Sequence, residues 1–195
     1  SFLIPARRRL IVEPDFSVQS FGIFAALLGG IQMAFGILNG LVITISDWVH
    51  LGHLLQVRRI THSDNGLDRI MYLKTNLWLG IQAGGSIAHT SGVVKGLLDN
   101  GYTVDFASVE TPMAMPDSDS LNFYSVSPRS TYVIPREYNH YRHNEHFIKQ
   151  TSQLFREPHR FIYQRLSLGN YAGVILSRRY GVPLVIEYNG SELWL

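Results

Sequence analysis

No residue from Phe16 through Ser46 carries a formal charge, and within that stretch Phe21-Gly22-Ile23-Phe24-Ala25-Ala26-Leu27-Leu28 continues apolar to Leu41-Val42-Ile43-Thr44-Ile45. Water solvates such a run poorly, so the chain must give it to lipid or bury it against protein. About 20 apolar residues span a bilayer as a helix, and the run is long enough. It is too long for the apolar part of a secretory signal, and no small-residue cleavage site leads cleanly into a mature start. Gly36 and Gly40 form a small-xxx-small pair that lets helices approach closely, while Gln32 and Asn39 weaken a spanning segment. Three arrangements fit: a spanning helix, a helix lying in the membrane interface, and an apolar helical hairpin bent at Gly29-Gly30 and packed on the next domain. Arg7, Arg8 and Arg9 precede the run and Arg58, Arg59 and Arg69 follow it, so flanking charge gives no orientation.

The remaining residues must supply any soluble core. A length of 195 residues permits one substantial globular domain plus an extra segment. Charged residues make up 16% of the chain, against about 25% in ordinary globular proteins. A net charge of +2 is too mild to imply a nucleic-acid partner, which calls for a clustered basic face, so no nucleic acid is expected and bulk electrostatics name no partner. With no cysteine, disulfides, thiolate nucleophiles and Cys-based metal sites are excluded, and a reducing, cytoplasmic compartment is the expectation.

After residue 68 the pattern changes to short apolar runs alternating with helical periodicity, which predicts a doubly wound, parallel, Rossmann-like α/β sheet. Ile70-Met71-Tyr72-Leu73 reads as its first strand. Val93, Val94, Leu97 and Leu98 then mark one helix face, which Asn100-Gly101 terminates. Thr103 to Val109 is the second strand, Thr111 to Arg129 a proline- and serine-rich surface loop, and Thr131-Tyr132-Val133-Ile134 a short strand. Phe147, Ile148, Thr151, Leu154 and Phe155 share a helical face, and Arg160-Phe161-Ile162-Tyr163 returns as a strand. A last helix through Leu168, Tyr171, Ala172, Ile175 and Leu176 ends near Arg178, Arg179 and Gly181, before the strand Leu184-Val185-Ile186. The boundaries read as an apolar, mainly helical region over residues 1–68 and a Rossmann-like domain over residues 69–195.

Ligands of such sheets gather at the carboxyl ends of the strands. Gly84-Gly85-Ser86-Ile87-Ala88-His89-Thr90-Ser91-Gly92 is expected there as a loop before the first helix, where glycine lets backbone approach a phosphate or sugar. Its spacing is not the G-x-G-x-x-G of dinucleotide folds. Gln164 and Arg165, and the polar run Glu187-Tyr188-Asn189-Gly190-Ser191-Glu192, follow apolar strands and are expected at the same crevice. Arg165 suits a phosphate or carboxylate, and Glu187 and Glu192 suit sugar hydroxyls. His89 reads either as a ligand contact or as a helix-start residue making a local hydrogen bond. His140, His143 and His146 do not converge on one metal, because i and i+6 lie about 240° apart on a helix, so a solvated segment is expected there. G-x-S-x-G, H-E-x-x-H and Walker A sequences do not occur.

Three segments together, Gly84-Gly85-Ser86-Ile87-Ala88-His89-Thr90-Ser91-Gly92-Val93, Tyr163-Gln164-Arg165-Leu166-Ser167 and Pro183-Leu184-Val185-Ile186-Glu187-Tyr188-Asn189-Gly190-Ser191-Glu192, resemble the N-terminal domain of bacterial family 4 glycosyltransferases. These are retaining GT-B enzymes of polysaccharide and glycolipid biosynthesis. The resemblance covers about residues 69–195. It implies a hexosyltransferase-type enzyme whose acceptor-side domain is this one, with a nucleotide-sugar donor as co-substrate bound by a C-terminal domain. No metal and no further cofactor are implied. Gly84, Gly85, Ser86, His89, Arg165, Glu187, Asn189 and Glu192 become substrate-binding candidates for a glycan or lipid-linked acceptor, and no catalytic residue is assigned. Because the family's donor-binding element has no counterpart before Leu195, the chain is expected to be a fragment, inactive alone. Membrane contact through residues 16–46 would place it at the inner face of the cell membrane. The alternative is a non-catalytic nucleotide- or sugar-phosphate-binding module at the membrane.

Overall fold

The computed structural model describes residues 10–12, 18–20, 22–55, 66–77, 85–112, 114–128, 136–167 and 169–188. They fall into two units, one carrying a small hairpin and a long helix, the other a parallel sheet with its helices.

In the first unit, β1 (Leu10–Val12) pairs antiparallel with β2 (Val18–Ser20). The uncharged run forms a single helix, α1 (Ile23–Leu55). This corrects the hairpin alternative, since the helix runs unbroken through Gly29-Gly30. Glycine inside a helix costs about 1 kcal/mol relative to alanine, and the flanking Ala, Leu, Ile and Met are good helix formers with no turn chemistry beside them.

The second unit is a five-stranded, wholly parallel sheet of β3 (Arg69–Lys74), β4 (Thr103–Ser108), β5 (Leu121–Ser125), β6 (Phe161–Arg165) and β7 (Leu184–Glu187), in the order β5-β4-β3-β6-β7. Helix α2 (Gly85–Asp99) joins β3 to β4, α3 (Arg136–Thr151) precedes β6, and α4 (Ala172–Tyr180) joins β6 to β7. This is the expected doubly wound α/β arrangement. Two expectations change. The region read as a loop contains β5, an edge strand whose residues are only partly buried and therefore need no continuous apolar run. Residues 85–92, also read as a loop, are the first half of α2. The strand expected at Thr131-Ile134 lies outside the described residues.

Each sheet face has its own core. On one, Val94 of α2 packs with Tyr72, Val104 and Phe106, and Val93, Leu97 and Leu98 pack around them. Phe123, Phe106, Tyr72 and Tyr163 stack across four adjacent strands, with centroids 5.9, 4.9 and 5.1 Å apart. On the other face, Phe147 and Ile148 of α3 and Ala172 and Leu176 of α4 pack on Met71, Leu73, Ala107 and Ile162. Gly101 and Gly181 end their helices at positive φ, where a side chain would be strained.

Polar groups inside the second face are locked to one another. Asp105 receives hydrogen bonds from Arg69 and Asn122 and lies 2.9 Å from His159 Nε2. Burial alone raises the Asp105 carboxyl, but the bonds from His159, Asn122 and Arg69 outweigh it and hold the group below its ordinary value. Gln164, expected in the crevice, points into this face instead. Its Oε1 accepts from Gly173 N and its Nε2 donates to Asn170, which fixes the start of α4. A Cβ at Gly173 would overlap Gln164 Oε1 and Leu184 Cδ1. Gly173→Ala is therefore expected to cost about 2 kcal/mol by overpacking, measurable in urea unfolding.

The histidine segment is helical and His143 is 4% exposed, which corrects the solvated reading for that residue. Its ring packs edge-on to Phe147, and neither ring nitrogen has a hydrogen-bond partner. Burial, reinforced by His146 and His140, lowers its pKa to about 4. Because the folded value lies below the unfolded one, this histidine's contribution is intact above about pH 6.5 and is lost as pH falls towards 4. We expect His143→Leu to be more stable than wild type at pH 4.5 by about 2 kcal/mol, with the gap closing towards pH 7, in unfolding curves taken across that range.

Candidate functional site

Parallel pairing sets the last residue of every strand side by side. Ser125 pairs with Ser108, Ser108 with Lys74, Lys74 with Arg165, and Arg165 with Glu187. Side chains alternate faces along a strand, so this polar rung occupies the α2 face, two residues beyond the aromatic rung. Its middle, between β3 and β6, is where connections turn outward in opposite directions, the position at which sheets of this class bind ligands.

His89 and Thr90, in the second turn of α2, reach this rung. His89 Nε2 lies 3.0 Å from Glu187 Oε1, and the Tyr163 hydroxyl donates to Glu187 Oε2 at 3.0 Å. Arg165 Nε stands 3.8 Å from Glu187 Oε1, while its NH1 donates to Thr90 Oγ1 at 3.2 Å. Glu187 and Arg165 are mostly buried, and the His89 side chain is half exposed. The result is a carboxylate held by three groups with an open imidazole at its mouth. Gly85 at the start of α2 is exposed, and a Cβ there would meet nothing within 4 Å, so that helix end is open.

The surrounding groups are tuned by burial. Burial and then the hydrogen bond to Glu187 push the Tyr163 phenol up to about 12. Burial and then the Glu187 charge drive the Tyr72 phenol higher still, and its hydroxyl, beside Thr90, makes no hydrogen bond of ordinary geometry. Lys74 is lowered, first by burial and further by Arg165, with Glu110 opposing. Thr75 and Ser167, just past the ends of β3 and β6, bond to each other at 2.9 Å.

Of the expected site residues, His89, Arg165 and Glu187 come together, Gly85 opens the helix beside them, and Ser86 lies in the first turn of α2. Gly84, Asn189 and Glu192 lie outside the described residues. Sequence reasoning passed over Lys74, Thr90 and Tyr163. A signal was present: Tyr72-Leu73-Lys74, Phe106-Ala107-Ser108, Phe123-Tyr124-Ser125 and Tyr163-Gln164-Arg165 each read aromatic, variable, polar at a strand end. Among the described residues no group of three or more metal-ligating side chains is placed to hold an ion.

The sheet order and the helices between its strands define a Rossmann-like α/β unit. No protein-family model and no curated protein matches the chain. Among solved structures, the chain is similar to the C-terminal domain of PF1911 hydrogenase from Pyrococcus furiosus, with 15% identity, a TM-score of 0.43, and coverage of 62% of this chain and 90% of that one. A likeness at that level assigns no activity to this chain.

Spectrophotometric titration checks the buried phenols. Exposed tyrosines ionise near pH 10, and Tyr163→Phe is expected to remove phenolate absorbance only above about pH 11.

Proposed function

We propose that the sheet unit is the acceptor-holding half of a retaining GT-B glycosyltransferase, working with a nucleotide-sugar donor held by a separate domain. The observation that carries this reading is the meeting of His89, Arg165 and Glu187 at the outward turn of the sheet. These are residues to which the family resemblance gives contact with substrate. A carboxylate with an adjoining imidazole suits the alternating donors and acceptors of sugar hydroxyls. Lys74 and Arg165, side by side in register, suit the phosphate of a lipid-linked acceptor. In this reading the unit supplies acceptor binding, and the catalytic step takes place in the cleft it forms with the donor-holding domain.

Calorimetric titration tests this. The chain is expected to bind a short-chain polyprenyl-phosphate-linked sugar, and Arg165→Ala to weaken that binding about tenfold or more, as loss of a charge-assisted hydrogen bond predicts. Binding of a nucleotide with no binding of glycan or lipid-linked sugar would replace this reading with a nucleotide-binding module. Binding of neither would remove both.

A further inference from the structure

We propose that α1 crosses a lipid bilayer, rather than lying in its surface or packing within a protein core. The inference is independent of the sugar-transfer reading and rests on the helix alone. The uncharged part, Ile23–Ser46, is 24 residues long. At 1.5 Å per residue it extends about 36 Å, enough to cross a hydrocarbon layer about 30 Å thick with a modest tilt.

The distribution of side chains separates the three arrangements. Phe24, Leu27, Ile31, Phe35, Leu38 and Val42 recur every three or four residues, and all are exposed, Phe24 by 86%. At 100° per residue most of the large apolar residues fall within about half the circumference, and Met33 and Ile43 lie on the other half. The two amides, Gln32 and Asn39, are seven residues apart on one stripe outside that half. The opposite half carries small residues, among them Ala26, Gly36 and Gly40, and no charge. A helix lying in the interface needs a strongly polar or charged face towards water, and between Ile23 and Ser46 there is none. A core helix would be covered by protein, whereas only 18% of the apolar window is buried.

The ends and the interior fit the same solvent. Trp48, 78% exposed, stands just beyond the uncharged stretch, at the depth where aromatic side chains anchor spanning helices. The Thr44 hydroxyl donates to the Gly40 carbonyl at 2.8 Å, so a polar group near the end of the uncharged stretch is satisfied without water. A secretory signal is a poor account, because its apolar part runs to about 7–15 residues.

The absence of cysteine from the chain makes a direct test available. Ser20→Cys and Asp68→Cys place one thiol on each side of α1, at exposed positions away from the candidate site. The full chain would be expressed in a bacterial host. Its membranes would be extracted with alkaline carbonate, and intact spheroplasts treated with a membrane-impermeant maleimide. The expected result is retention in the carbonate pellet, with one thiol labelled in intact spheroplasts and the other only after permeabilisation. Phe35→Lys with Leu38→Lys should shift most of the chain out of the pellet. Release of the unmodified chain by carbonate, or labelling of both thiols from the same side, overturns the proposal.

Discussion

The register of the parallel sheet is the constraint on which the candidate site depends. Five strands from distant parts of the chain end together, so Ser125, Ser108, Lys74, Arg165 and Glu187 become neighbours although up to 113 positions separate Lys74 from Glu187. A slip of one residue in β6 would send Arg165 to the opposite face and bring Gln164 into the crevice. The stacked aromatic rung one step below resists such a slip. Tyr72 sits between Phe106 and Tyr163, is wholly buried, and has rings on both sides at about 5 Å. Packing in the core thus places the charged residues at its edge.

Much of the sheet was legible in the sequence because buried parallel strands must be apolar on both faces, which leaves short runs such as Ile70-Met71-Tyr72-Leu73. The helix ends at Gly101 and Gly181 were legible for a similar reason, since a left-handed backbone position favours glycine. Strand β5 was not, because an edge strand need bury only part of each side chain, and Leu121-Asn122-Phe123-Tyr124-Ser125 sits among turn-forming residues. The start of α2 was hidden by its own composition, Gly-Ser-Ile-Ala-His-Thr-Ser-Gly, which local propensity does not assign to a helix. In the site, the strand-end positions of Arg165 and Glu187 could be read locally. Their meeting with His89 depends on contacts between residues nearly a hundred positions apart, which periodicity does not encode.

The two units differ in how they treat polar groups. In the sheet unit, buried polar groups are admitted where partners exist, as with Asp105 among Arg69, Asn122 and His159. His143 and the Tyr72 hydroxyl depart from that rule, and burial favours the neutral form of each. In α1 the sequence withholds charge altogether for 24 residues. The low charged fraction of the whole chain therefore averages two unlike segments and describes neither one.

The bonding around Glu187 limits what that carboxylate can do. Its two oxygens already face His89, Tyr163 and Arg165. A ligand hydroxyl reaching it would have either to use a remaining lone pair or to displace one of these neighbours. Of the three, Tyr163 is anchored in the aromatic rung and Arg165 is also tied to Thr90. His89 is the most exposed, and among the described residues it has no such second tie. Displacing it would open Glu187 to a ligand while leaving Arg165 and Tyr163 beside the carboxylate.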